Sequence, residues 1–163
     1  MLNLILLIIA IAILLVVAWT LFQQAFNKDT LYIRRMLRQA VQKNAKVGKY
    51  LTKWRMWRIW FKVRRIHKLN EQIIGALQKD KQRFPLGEKF FSLYLDSTLQ
   101  VLHDYAVLVS QPVRGGEIQK GLSDSEQSLD NIIKGLESEL TTILSAEIQN
   151  LEIEKEVLKR QAS

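Results

Sequence analysis

The sequence predicts an all-α chain with one N-terminal transmembrane helix followed by a cytoplasmic antiparallel helical hairpin or three-helix bundle. Three observations carry this prediction. Residues Leu4 to Phe22, LILLIIAIAILLVVAWTLF, contain no charge. Beyond them apolar residues recur every three or four positions, the spacing of one helix face. No stretch alternates apolar and polar side chains over the length of a strand.

Composition narrows the function before any motif does. The 163 residues suit one domain plus an appendage. The chain has no cysteine, which excludes disulfide scaffolds, thiolate zinc sites and cysteine nucleophiles. Two histidines leave little for a metal, and no cofactor is expected. The net charge of +8 is unevenly spread. From Lys28 to Arg83 there are 17 bases against three acids, and from Phe84 to Ser163 seven bases against 13 acids. The chain therefore reads as an apolar anchor over 1–27, a basic juxtamembrane helix or helices over 28–83, and an acidic helical hairpin over 84–163.

A helix from Leu2 to Phe26 would reach about 37 Å, enough to cross about 30 Å of hydrocarbon with some tilt. Trp19, Phe22 and Phe26 then fall near the interface, where aromatic rings prefer to lie. A cleaved signal peptide would carry Lys or Arg ahead of its apolar run, and here the run begins at Leu2. Lys28, Arg34, Arg35 and Arg38 follow the span closely. Bases favour the cytoplasmic side, so the expected topology is single-pass in the inner membrane, amino terminus out, with the rest cytoplasmic.

The basic segment has no proline before Pro85 and only Gly48 and Gly75 as glycines, so it reads as helix. Within it KWRMWRIWFKVRR, residues 53–65, sorts at 100° per residue into three faces. Arg55, Arg58, Lys62 and Arg65 form one; Met56, Ile59, Val63 and Ile66 the next; Trp54, Trp57, Trp60 and Phe61 fill the rest. A second span is untenable: Val47 to Ile66 holds seven bases, which oppose insertion by roughly 17 kcal/mol. Three readings stay open. The segment is a helix lying in the interface, its indoles at headgroup depth and its bases on anionic lipid. Alternatively it is an ordinary bundle helix whose tryptophans are core and whose bases pair with the acidic half. Third, its aromatic and basic groups suit single-stranded nucleic acid, but an anchor confines it to a membrane surface, and no nucleic-acid partner is expected.

Further on, Pro85 can open a helix and Pro112 close one, giving a helix over 86–110. On it Phe91, Tyr94, Leu95, Leu102, Tyr105 and Val109 share one face, and Ser92, Asp96, Gln100, His103 and Asp104 the opposite one. QPVRGGEIQKG reads as a loop. The last helix is expected to start at SDSE, where Ser123 and Glu126 have capping-box spacing. From Leu129 through Ile133, Leu136, Leu140, Leu144, Ile148 and Leu151 an apolar stripe follows.

No glycine-rich phosphate loop, HExxH, DxD or GxSxG motif is present. The weak catalytic candidates are Asp96 and His103. They share a face but lie about 10 Å of helical rise apart, too far for a hydrogen bond, and a solvated helix face explains them better.

The run RRIHKLNEQIIGALQKDKQRFPLGEKFFSLYLDSTLQVLHDYAVLVSQPV, followed by an acidic helix with SLDNI, resembles the XpaC-like family, named for 5-bromo-4-chloroindolyl phosphate hydrolysis. The resemblance rests on a helix ending near a proline, then F..LYLDSTL..L..YA.L, a loop and a long amphipathic helix, and covers about Ile66 to Lys159. It implies a bacterial, membrane-associated helical protein whose name records hydrolysis of an indolyl phosphate. Members often occur beside toxic-anion (tellurite) resistance proteins, themselves long and helical. Members often have a longer apolar amino-terminal region, and the single span here departs from that. The family offers no catalytic motif to transfer to numbered residues. The expected function is a non-catalytic membrane-anchored scaffold or adaptor, tied to anion or envelope stress, with anionic lipid and a helical protein or a second copy as partners. The alternatives are a membrane-bound phosphohydrolase of aryl phosphates and an anionic-lipid sensor.

Overall fold

The computed structural model describes residues 30–112 and 115–161, and among these there is no strand. The expected anchor, residues 1–27 with Trp19, lies outside the described residues. Among those described, no helix is long and apolar enough to cross a membrane. The chain divides into two units, Met1–Met36 and Leu37–Ser163. In the first, residues 30–36 are helical, with Leu31 and Tyr32 exposed.

The second unit is built from four helices. These are α1 (30–49, in this unit from Leu37), α2 (Trp60–Lys79), α3 (Leu95–Ser110) and α4 (Gly116–Gln161). That is one more than a hairpin or three-helix bundle requires. The extra helix is α1, whose inward face is Leu37, Ala40, Asn44 and Val47, all buried. These small and polar residues recur with helical spacing, but bases on the other faces give the sequence the look of a uniformly solvated segment.

Side-chain pairs fix the directions. Asn44 meets Asn70 and Gly48 meets His67, so α1 and α2 are antiparallel. Arg58, Lys62 and Arg65 meet Glu126, Asp130 and Glu137 in the same order, so α4 runs parallel to α2. Tyr105 reaches Glu126 while Tyr94 lies against Gly135, so α3 is antiparallel to α4. The chain thus goes up, down, up and down, as short connections demand. At Gly135 a Cβ would sit 2.5 Å from the Tyr94 ring, so only glycine lets α3 approach α4 this closely there.

The core is a single layer of aliphatic and aromatic side chains. Met56, Ile59, Val63, Ile66, Ile73 and Leu77 come from the α2 side, Phe90 from the turn before α3, Leu95, Leu102 and Tyr105 from α3, and Leu129, Leu136 and Ile143 from α4; each is at most 1% exposed. Between α1 and α2 lies a polar insertion. Asn70 donates to Asn44 Oδ1 at 3.0 Å, and Asn44 donates to the His67 carbonyl at 3.2 Å.

Three boundaries differ from the sequence expectation. First, 53–65 is not one α-helix. Lys53 is extended (φ −87°, ψ 109°), 3-10 turns occupy Tyr50–Thr52 and Trp54–Ile59, and α2 starts only at Trp60. The reversal between α1 and α2 must fall here, just past Gly48, and no glycine or proline within 50–65 marks the break at Lys53. The three faces survive because i and i+3 are aligned in a 3-10 turn as well as in an α-helix: Met56 and Ile59 still point inward and continue into Val63 and Ile66.

Second, Pro85 lies within a 3-10 segment, Lys81–Gly87, not at a helix start. Asp80 caps that segment by accepting from the Gln82 N–H at 2.9 Å. Phe90–Tyr94 then forms a π-helical turn, whose extra residue lets both Phe90 and Phe91 enter the core.

Third, α4 begins at Gly116, so the loop ends earlier and Ser123 with Glu126 is no capping box. Burial of Leu122 and Ser125 overrides the loop-like composition. Glu126 instead accepts from the Tyr105 hydroxyl and pairs with Arg58.

Leu136→Asp places a charge at a fully buried position and is expected to cost more than about 4 kcal/mol. Urea unfolding followed by circular dichroism should then show no cooperative native transition. Asp96→Ala removes only a surface ion pair with Lys43 and should change stability by less than about 1 kcal/mol.

Candidate functional site

The connection between α1 and α2 concentrates the aromatic and basic residues of the second unit. Because it turns with a 3-10 period, Trp54 and Trp57 fall on one side, and the first turn of α2 adds Phe61 four residues on. All three face solvent, at 78%, 72% and 77% exposure. Trp60 is half-buried and meets Phe61 edge-on at 5.1 Å. So the tryptophans are not core, which removes that part of the ordinary bundle-helix reading.

The bases split into two groups. Arg58, Lys62 and Arg65 turn toward α4. Arg58 lies 3.6 Å from Glu126, Lys62 donates to Asp130 at 2.7 Å and to the Glu126 carbonyl at 3.2 Å, and Arg65 pairs with Glu137. This ladder is the pairing of basic and acidic segments that the same reading expected. Arg55 instead lies over the Trp54 ring at 5.5 Å, and Arg64 over Trp60 at 5.2 Å. Such stacking keeps a guanidinium beside an indole while its outer edge stays wet. Arg64 is the residue that face-sorting overlooked; the signal was its spacing of four from Trp60. Near the base of the turn Lys53 covers the Tyr50 ring at 4.3 Å, and burial pushes the Tyr50 hydroxyl above its ordinary pKa.

Beneath the aromatic edge is an open cleft of about 590 Å³. Trp54, Arg55, Trp57 and Arg58 form one wall, and Tyr105, Val109, Ser110 and Leu122, from α3 and α4, the other. Indole faces and guanidinium groups therefore line one concave surface, which suits an aromatic or amphipathic anion.

Asp96 and His103 lie apart from it. Both are exposed on α3, separated by two helical turns, and Asp96 is engaged by Lys43 at 2.6 Å. Among the described residues no group of three or more His, Cys, Asp or Glu side chains is placed to hold a metal ion. Trp19 lies outside the described residues.

A family model described as 5-bromo-4-chloroindolyl phosphate hydrolysis protein matches residues 1–158. Protein XpaC of Bacillus subtilis (strain 168) is 28% identical over 133 residues, which cover 82% of this chain and 65% of that protein. The chain thus spans just under two thirds of that curated relative. No solved structure matches it. Since the family model takes in all four helices of the second unit almost to the end of α4, this protein belongs to the 5-bromo-4-chloroindolyl phosphate hydrolysis family.

Proposed function

We propose that this protein is a non-catalytic helical adaptor held at an anionic membrane surface, with the second unit presented to a protein partner. The observation that carries the reading is the solvent-facing row Trp54, Trp57 and Phe61, interleaved with Arg55 and Arg64. A monomer in water gains nothing from exposing three large aromatic side chains side by side. At a bilayer the same row is favourable: indoles rest at headgroup depth, and each nearby base contributes about 1 kcal/mol on anionic lipid. The apolar run at residues 4–22 supplies the second attachment in this reading. A role in toxic-anion or envelope stress belongs to the same proposal and rests on the family resemblance.

The test uses the full chain with Trp19→Phe, reconstituted in nanodiscs containing brominated lipid. Quenching of the remaining tryptophans is expected to be stronger in anionic than in neutral bilayers and to fall as salt is raised. Adding Trp54→Ala and Trp57→Ala should remove most of the quenching while changing stability by less than about 0.5 kcal/mol, since both side chains are exposed. Absent quenching would place the edge away from the bilayer, and quenching equal in both lipids would overturn the anionic-lipid part of the reading.

A second reading, a membrane-bound phosphohydrolase, draws on the family description and on the cleft that pairs Trp54 and Trp57 with Arg55 and Arg58. Attraction of an aryl phosphate is not cleavage, which also needs a positioned nucleophile or metal. The adaptor reading expects turnover of an indolyl phosphate equal to the blank with Mg²⁺, Mn²⁺, Zn²⁺ or chelator. Turnover that tracks the protein and is lost in Arg55→Ala/Arg58→Ala, but not in Asp96→Ala/His103→Ala, would favour the enzyme and place its site in the cleft.

A further inference from the structure

α4 is much longer than the helices beside it. Its 46 residues extend about 69 Å at 1.5 Å per residue, against 20 residues for α2 and 16 for α3. Buried positions run along it from Leu122 to Ile143, and among the described side chains none beyond Ile143 is buried. Leu144 and Ile148, four residues apart on one face, are 41% and 58% exposed. Yet the helix continues to Gln161. A stretch of about 18 residues is only marginally helical alone in water, and an apolar stripe along it makes that state less favourable still.

The sequence shows what kind of neighbour would fit. Leu144, Ile148, Leu151 and Leu158 follow at spacings of four, three and seven, the seam of a two-stranded coil. Residues 144–154 carry three acids and no base, whereas 155–161 carry three bases and one acid. Two copies of this segment laid parallel would set acid on acid. Laid antiparallel about a two-fold near Glu152, only the residues at the axis meet their own mates, the basic stretch 155–161 lies along residues 144–149 of the other copy with their single acid, Glu147, and the arrangement closes on itself.

The geometry points to a homodimer in which residues 144–161 of α4 pair antiparallel with the same residues of a second copy. The inference uses none of the aromatic edge and stands whether or not that edge touches lipid. The contact is short, near the roughly 1,000 Å² that a stable interface needs, so dimerisation is concentration-dependent.

The absence of native cysteine makes the test direct, because an introduced cysteine reports on one position alone. In the full chain in mild detergent, Glu152→Cys lies beside its own mate and should give a disulfide-linked dimer under mild oxidation. Ser145→Cys alone should not cross-link, but mixed with Arg160→Cys it should. Ile148→Asp should lower the sedimenting mass from two chains to one and abolish cross-linking at 152. Self-cross-linking of Ser145→Cys would show parallel pairing and overturn the proposal. A single-chain mass with no cross-linking at any of these positions, at concentrations of tens of micromolar, would overturn it as well.

Discussion

The second unit depends on the burial of one stripe, Met56, Ile59, Val63, Ile66, Ile73 and Leu77, which runs through the 3-10 turn and down α2. Each such side chain contributes about 1.5–3 kcal/mol on burial. No single helix could cover this stripe. α1 takes one flank through Asn44 and Gly48, α4 another through Leu129 and Leu136, and α3 with the turn before it supplies Phe90, Leu102 and Tyr105. Once the stripe is inside, the basic positions beside it are committed. Arg58, Lys62 and Arg65 fall on the flank facing α4, where carboxylates await them, and Trp54, Trp57 and Phe61 are left outside. The exposure of the aromatics follows from burial of their neighbours and not from any property of indole.

The same constraint separates two kinds of positive charge that composition merges into one number. The ladder to α4 neutralises bases in place. Pairs this exposed contribute little each, and their main effect is to fix the register of α2 against α4. Arg55 and Arg64, stacked on indoles, remain oriented outward. A surface built this way has its apolar and cationic groups already arranged, so less ordering is left for the moment of contact.

Much of this was legible in the sequence, and the reasons differ from element to element. The inward residues Met56, Ile59, Val63 and Ile66 and the α3 face from Phe91 to Val109 were readable because long-range packing reinforces local periodicity there. The stripe of α4 was legible as far as Leu136, after which Ile143 enters the core and Leu144 does not. What stayed hidden was set by contacts distant in sequence. The break at Lys53 has no turn residue to mark it, and the helix through Gly116 runs against its own glycines because Leu122 is needed inside. For the site, residue types and faces could be read, but not which bases are used up by α4. That depends on carboxylates more than sixty residues away.

The polar insertion between α1 and α2 carries a consequence for how the unit comes apart. α1 contributes only Leu37, Ala40, Val47 and Asn44 to the interior, the smallest apolar share of the four helices, and Asn70 Oδ1 is buried without a hydrogen-bond partner among the described residues. Separation of α1 sacrifices little apolar contact and lets the buried amides of Asn44 and Asn70 bond with water instead of each other. Among the described helices α1 is therefore the first cooperative piece to open, and its amides exchange with solvent before those of α2 and α4. The bundle is graded, with a loosely held leading helix on a firmly packed remainder.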